Sequence, residues 1–579
     1  MVMTYTQSEA LYLQELRRRQ EECWPADRPR EAQYPFGERP ITEYLREWAA
    51  RDPQRVAIEF YGHTITYAEL NDLSDRLASL LEERGIRSGE RVAVMLPNCP
   101  QFNVAFHGTL KRGAVLVPLS PLARGGELQH LLDEADPAAL IVLDALWPVA
   151  EPLLAGRNVR EVFRVGLAGV LAQSPTLPLP ELLQAAQAQT VSGDDLLPLL
   201  RQVTPRPQPV PELDSPAVIN FSGGTTGLPK GCLHHHRDLI YTSASYCTVA
   251  LPDALPLSER PVMLSFLPQF WIAGEDMGVL FPAFLGATLV LLLRWDVQAF
   301  LQAVPRHGVT VTTLLVDQVD EILNHPQAAP TDFSSLRQVN AVSFMRKLNP
   351  DYRRRWADLT GSVIAEASYG MTETNTCDTF TGGFQENDFD LNSQPTFVGL
   401  PVPGTEFKIC DFGSGALQPF GTEGEICVRS PAVFKGYWHE RHDPSDLPGG
   451  WLHTGDSGVI DEQGLLHYLG RRREMLKVNG MSVFPAELEM LLGRHPGVAG
   501  VGVLGRAHPT RGDEVVAFVV PRPDSGLTPE TLSAWCRDEM ASYKVPTVHF
   551  LDELPLTATG KVDKKQLLPR LAEVAGGNA

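Results

Sequence analysis

Phe221-Ser222-Gly223-Gly224-Thr225-Thr226-Gly227-Leu228-Pro229-Lys230 is the stretch on which the reading of this chain turns. Three glycines let the backbone approach a polyphosphate closely, two adjacent threonines add hydroxyl donors, and the lysine adds a mobile point charge. Ala217-Val218-Ile219-Asn220, just upstream, has the composition of a short buried strand. The loop therefore leaves a sheet edge, where ligands of α/β proteins commonly bind. It differs from the usual P-loop, in which glycine directly precedes lysine, because Pro229 stands in that place. Phosphate binding is favoured over a plain flexible turn.

Working outward, Ile41 to about Leu143 alternates helical and strand-like segments. Thr66 to Arg84 reads as a helix: Thr66 caps it, Glu69 follows three residues on, and Leu70, Leu73, Leu77 and Leu80 form a stripe. Residues 91–96 and 114–119 read as strands, which predicts a parallel sheet with helices on its faces. Residues 172–214, rich in Pro, Gln and Ala, read as a loosely ordered excursion. The alternation restarts at 261–267, 287–292 and 308–315. Residues 405–410 and 424–428 read as strands of an antiparallel or barrel-like piece. Beyond the charged junction 471–474, helices at 486–494 and 529–540 and strands at 498–503 and 515–520 make a smaller α+β unit. The fold class expected is thus a large α/β N-terminal domain with parallel sheets and a small barrel-like part, followed by a mobile α+β C-terminal domain. The expected divisions are a helical extension over 1–40, a body over 41–472 and the small domain over 473–579.

Composition bounds the function. A chain of 579 residues exceeds one compact core. A net charge of −20 leaves no basic excess for nucleic acid, so no nucleic-acid partner is expected. Eight cysteines without a CxxC pair point to reduced thiols and a cytoplasmic setting. Met277 to Leu293 is uncharged and largely apolar, but Pro282 and Gly286 interrupt it and it falls short of about 20 residues. A buried helix, turn and strand is expected there, and no transmembrane segment. Residues 7–22 suggest an amphipathic helix that packs on the body, with membrane or partner docking as the alternative. His234 to His236 invite a metal, yet neighbouring residues on a helix point in different directions. Monomer and homodimer both stay open.

Four further motifs follow the loop in order: Tyr369-Gly370-Met371-Thr372-Glu373-Thr374, Trp451-Leu452-His453-Thr454-Gly455-Asp456, Gly470-Arg471-Arg472-Arg473-Glu474-Met475-Leu476-Lys477, and Thr559-Gly560-Lys561. With the loop, they resemble the signature of the adenylate-forming acyl-CoA synthetase family from about Ile41 to about Leu568. The resemblance implies ATP, Mg²⁺ and coenzyme A, a small-molecule carboxylic acid as substrate, and two steps, adenylation and then thioester formation.

It also implies roles. Ser222, Gly223, Gly224, Thr225, Thr226, Gly227 and Lys230 would clamp the triphosphate, with Gly223 standing where serine is commoner. Thr372 would donate to the α-phosphate, Glu373 would hold Mg²⁺, an oxygen-seeking cation, and Tyr369 would stack on adenine. Asp456, an acceptor-only group, would take both ribose hydroxyls, and Arg471 would add a ribose or phosphate contact. Lys561 would bridge carboxylate and α-phosphate. Arg473 would be the hinge, and Lys477 and Gly480 would line the pantetheine tunnel after rotation. For the acyl pocket, Trp271 replaces a frequent histidine. Val342, Ser343 and Phe344 replace a Gly-Gly-Ala-Pro-like stretch, which narrows the pocket. No aspartate occupies the position that pairs a substrate ammonium in amino-acid-activating relatives, so a fatty or arylated acid is expected. The runner-up is loading of a separate carrier protein. A catalytically idle binding protein is disfavoured because Glu373 and Lys561 are both present.

Overall fold

A computed structural model describes residues 5–222, 229–251, 260–344, 346–367, 369–439, 447–479, 481–508, 510–557 and 560–575. Gly223, Gly224, Thr225, Thr226, Gly227 and Gly480, all expected site residues, lie outside the described residues.

Two largely parallel sheets form the body. One runs 364–366, 338–342, 311–315, 262–265, 288–291, 56–60 and 63–66, with the last strand antiparallel. The other runs 161–165, 139–143, 91–95, 115–118, 216–221 and 231–235, again with an antiparallel last strand. Consecutive strands of apolar residues joined by helices give this arrangement, since a parallel strand needs a crossover and must be covered on both faces. The helix Tyr67–Glu83 begins as expected: Thr66 accepts from the Glu69 backbone N–H and Glu69 returns a bond to the Thr66 N–H. A cap of this kind is worth about 1 kcal/mol. The helices between the sheets share one apolar core, in which Tyr44, Trp48 and Phe284 are buried.

The segment weighed as a membrane span resolves into helical residues 276–285, a left-handed Gly286 at φ 66°, and the strand Thr288–Leu291. No helix among the described residues is long and apolar enough to cross a membrane. Residues 172–214 are more ordered than expected. Short helices Glu181–Gln187 and Leu196–Gln202 bury Leu183, Leu196, Leu197 and Leu200. The prolines and glutamines that suggested disorder lie between leucines placed at helical spacing.

A third, antiparallel sheet orders 379–380, 396–401, 466–471, 452–460, 424–429 and 406–410. The first helix, Tyr5–Cys23, straps across it. Leu13 and Leu16 are buried there, each stabilising by roughly 2 kcal/mol relative to exposure. Tyr12 stacks on Phe420 at 4.6 Å, Glu9 pairs with Lys408 at 2.6 Å, and Arg19 pairs with Glu462 at 2.8 Å. The fourth sheet follows residue 475: Met481–Val483, Leu476–Val478, Gly512–Pro521 and Val498–His508, with Thr547–Phe550 added in parallel. Helices Pro485–Leu492 and Pro529–Glu539 contribute Leu488, Leu492, Leu532 and Cys536 to its separate core.

Candidate active site

The phosphate loop closes a hairpin. Strand Pro216–Phe221 lies one position inside its sheet, and its partner Gly231–His235 forms the edge. Ser222 ties the base of the loop: its N–H donates to Lys230 O at 2.9 Å and its hydroxyl approaches the same oxygen at 3.3 Å. The Lys230 ammonium stands 4.6 Å from the centre of the Tyr437 ring. The Tyr437 hydroxyl donates to Glu373 Oε1 at 2.9 Å. A cation from the loop and the expected metal carboxylate thus meet on one phenol.

Thr372 and Glu373 begin a single tight turn, Thr372–Thr374. The Thr372 carbonyl accepts from the ring of His234 (Nε2···O 2.7 Å), and the Glu373 carbonyl accepts from Phe434 N–H at 2.8 Å. The tandem histidines therefore separate by task. His234 braces the turn, and His236 opens the helix His236–Ala250 with burial holding its imidazole down at about 4. After the turn, Asn375, Thr376 and Cys377 all adopt positive φ, between 51° and 57°. Such a run costs free energy and occurs where surrounding structure enforces it.

Asp456 and Arg471 are cross-strand partners on 452–460 and 466–471. Asp456 is 2% exposed. The Tyr369 hydroxyl donates to Oδ2 at 2.7 Å, and Arg471 Nε lies 2.8 Å from Oδ1. That guanidinium is off-line, so Oδ1 accepts no well-directed hydrogen bond among the described residues. Burial pushes the carboxyl above its usual value against the pull of Arg471 and Tyr369. A buried acceptor with one lobe open fits a sugar hydroxyl. Tyr369, whose ring lies 6.0 Å from that of Tyr468, has its hydroxyl committed to Asp456.

Lys561 reaches this group from the C-terminal sheet's side. Its ammonium stands 5.1 Å from the Phe344 ring. Burial first, then the Arg471 guanidinium, hold it below the usual lysine value, while Asp456 acts the other way. The residue as a whole is exposed. Phe344 and Ser343 follow the strand that ends at Val342. Ser343 N–H and Oγ both bond Glu366, at 3.0 and 2.5 Å, and burial pushes that carboxyl up to about 7.

Trp271 precedes the helix at Ile272 and packs edge-on against Phe270 at 5.2 Å. The helix packs so closely on the turn before it that a Cβ on Gly274 would meet Pro268 O at 1.9 Å. One turn on come two acids that reading at position 271 alone passed over. Glu275 and Asp276 are both buried, and Glu275 is pushed up to about 8 and Asp276 well above its usual value, chiefly by burial. Both Glu275 oxygens and Asp276 Oδ1 lack a well-directed partner among the described residues, although Asn220 approaches Glu275 and Cys377 Sγ lies 3.9 Å from Asp276 Oδ2. The signal available was an adjacent Glu-Asp pair in an otherwise apolar run.

Lys230, Glu373, Tyr369, Asp456, Arg471, Lys561 and Phe344 come together. Lys477 does not join them: exposed, its ammonium bonds Ser482 Oγ at 2.8 Å and its N–H donates to Asp513 at 2.7 Å. Arg473 lies in the short turn Arg472–Glu474 between the third and fourth sheets. Tyr437, which the motifs did not contain, joins this cluster through Glu373 and Lys230.

The profile of the family described as "AMP-binding enzyme" matches residues 45–438, and that of the "AMP-binding enzyme C-terminal domain" matches 487–561. The chain belongs to the AMP-binding enzyme family. Among its similar relatives, the long-chain-fatty-acid–CoA ligase of Bacillus subtilis (strain 168) is 30% identical over 95% of this chain and 97% of its own. The crotonobetaine/carnitine–CoA ligase of Salmonella arizonae is 31% identical, over 87% and 92%. ATP-bound MatB of Rhodopseudomonas palustris superposes with a TM-score of 0.75 at 26% identity, over 92% of this chain and 99% of that one. This member is an AMP-forming acid–thiol ligase, an acyl- or aryl-CoA ligase acting through an adenylate, with ATP, Mg²⁺ and coenzyme A.

Proposed function

We propose that the enzyme converts an apolar carboxylic acid, fatty or arylated, to its acyl-adenylate with loss of pyrophosphate, and then to the CoA thioester with loss of AMP. One observation carries the reading: the Lys561 ammonium, in the electrostatic field of Asp456 and Arg471, is 5.1 Å from the Phe344 ring. A cation there bridges the acid and the α-phosphate, two anions that must meet. Ser222 and Lys230 hold the base of the phosphate loop, with Gly223 to Gly227 as its cradle. Thr372 donates to the α-phosphate. Tyr369 carries the adenine, and Asp456 with Arg471 holds the ribose. Glu373 offers the oxygen donor that Mg²⁺ prefers, and the ion supplies neutralisation of phosphate charge. Trp271, Val342, Ser343 and Phe344 shape the acyl pocket.

Residues 41–472 form the adenylating body behind the extension 1–40, and 473–579 turn about Arg473 for the second step. That turn brings Lys477 and Gly480 to the CoA side. The eight cysteines, none joined in a disulfide, support a cytoplasmic setting. A second reading has one observation in its favour. Glu275 and Asp276, buried beside Trp271, suit an acid with a donor or cationic group at its far end.

The test is pyrophosphate release with ATP and Mg²⁺ across fatty, aryl and ammonium-bearing acids, with and without CoA. Turnover of the apolar acids to thioester is expected. Turnover confined to ammonium-bearing acids would replace the first reading with the second. Adenylate that stalls despite CoA would point to a carrier-protein acceptor.

A further inference from the structure

The third sheet carries, on the face under the first helix, a second group of chemically apt side chains. Glu425 and Cys427 are two apart on strand 424–429 and so share a face. Regular pairing would continue from Glu425↔Ser457 to Cys427↔Gly455, but the register shifts and sets His453 opposite Cys427. The irregularity that carries Gly455, at φ 71°, therefore also delivers an imidazole to a thiol.

The distances follow. Cys427 Sγ is 3.5 Å from His453 Nδ1, and His453 Nδ1 is 2.8 Å from Glu425 Oε2. The three donor atoms all lie within 4.8 Å of one another, the one such group among the described residues. We propose that Glu425, Cys427 and His453 bind a soft divalent transition-metal ion of the zinc class, with water in the fourth position.

A tetrahedral zinc with bonds of about 2.3 Å to sulfur and 2.0 Å to nitrogen holds those two ligands about 3.5 Å apart, the separation already present. The carboxylate needs a small outward step, since a hydrogen bond is shorter than a ligand–ligand edge. Its other oxygen is fixed by the Gly455 N–H at 3.0 Å, which orients the group as an outer-shell bond does. Cys410, directly opposite Glu425, contacts the Cys427 thiol from the inner side. The cations on this face are each met by a carboxylate, Lys408 by Glu9 at 2.6 Å and Arg429 by Glu406 at 2.6 Å. Leu13 and Trp451 cover the thiols, while the His453 side chain, 36% exposed, gives an entry path. On binding, bonds form from the metal to Cys427 Sγ, His453 Nδ1 and a Glu425 oxygen; the thiol proton of Cys427 and the Nδ1 proton now shared with Glu425 leave to solvent, the ring keeping its hydrogen on Nε2.

A histidine–carboxylate pair alone would account for Glu425 and His453 but not for a thiol aimed at the same ring nitrogen. Thiolate, imidazole and carboxylate together select zinc-like ions over magnesium.

The test is titration of the full-length, chelator-stripped protein with Co²⁺. Expected are a thiolate-to-cobalt absorption band saturating at one equivalent and its displacement by Zn²⁺. Cys427→Ser should abolish the band. His453→Ala, at a half-exposed position that folding tolerates, should weaken affinity roughly ten- to hundredfold. Cys536→Ser, in the other core, should leave the band intact. Absence of the band, its survival in Cys427→Ser, or His453→Ala binding as well as the parent would overturn the proposal. So would loss of two thiols to a Cys410–Cys427 disulfide on mild oxidation with no metal uptake.

Discussion

Asp456 is 2% exposed and Asp276 is 1% exposed, yet the two are held in opposite ways. Asp456 faces Arg471 across a strand pair and takes the Tyr369 hydroxyl. Asp276 has the weak thiol of Cys377 near one oxygen and sits beside another buried acid, Glu275. The first arrangement favours a charge for a ligand, because cation and donor offset part of the loss of water. The second forces protons onto carboxyls, because no cation stands by and the Asn220 amide and Cys377 thiol are too weak to offset burial. Burial alone therefore does not tell what an acid is for; its neighbours do.

The largest effect should come from the cation that serves the braced end. Lys561→Ala is expected to slow adenylate formation roughly 100- to 1,000-fold while ATP binding persists and thioester formation from supplied acyl-adenylate continues. Pre-steady-state pyrophosphate release measures the first step, and unchanged release would remove Lys561 from it.

Next comes the unbraced pair. The folded Glu275 carboxyl titrates at about 8 against an ordinary 4.5. Its protonated form favours the fold, so stability is fully present below pH 4.5 and declines as pH rises through 8. Glu275→Gln should flatten that decline, gaining on the order of 5 kcal/mol above pH 8 in denaturant titrations. A parallel pH profile for the variant would show that Glu275 stays ionised inside, and the contrast with Asp456 would collapse.

Asp456→Asn keeps the shape and removes the charge beside Arg471. A rise in the KM for ATP equivalent to about 2 kcal/mol is expected, with the KM for the acid unchanged. The smallest effect belongs to Tyr369→Phe, which deletes one hydroxyl from the same carboxylate and should cost about 1 kcal/mol in ATP affinity. If Tyr369→Phe outweighed Asp456→Asn, the ring rather than the brace would be the functional part of that tyrosine.

Local rules made much of this legible. The Thr66 cap, the strand before Ser222 and the break at Gly286 all follow from short-range sequence chemistry, and all three are present. The hairpin 498–508 with 512–521 extends well beyond the expected strands because the two support each other in register, which neither segment announces alone. Tyr437 is joined to Glu373 and Lys230 through a bridge between Cys232 and Tyr437, a pairing across some two hundred residues that no motif spacing encodes. Asp276 escaped notice for a related reason: an acid in an apolar run gives no hint of whether a cation waits across the fold.

The helical strap over the third sheet has a consequence for how the protein is made. Gln20 donates to Gly464 O, 444 residues further along the chain. At translation rates of about 5–20 residues per second, that partner leaves the ribosome roughly 20 to 90 seconds after the helix does. The helix is made long before the strands it packs on, and for that interval the leucines at 13 and 16 are a ready target for a holdase.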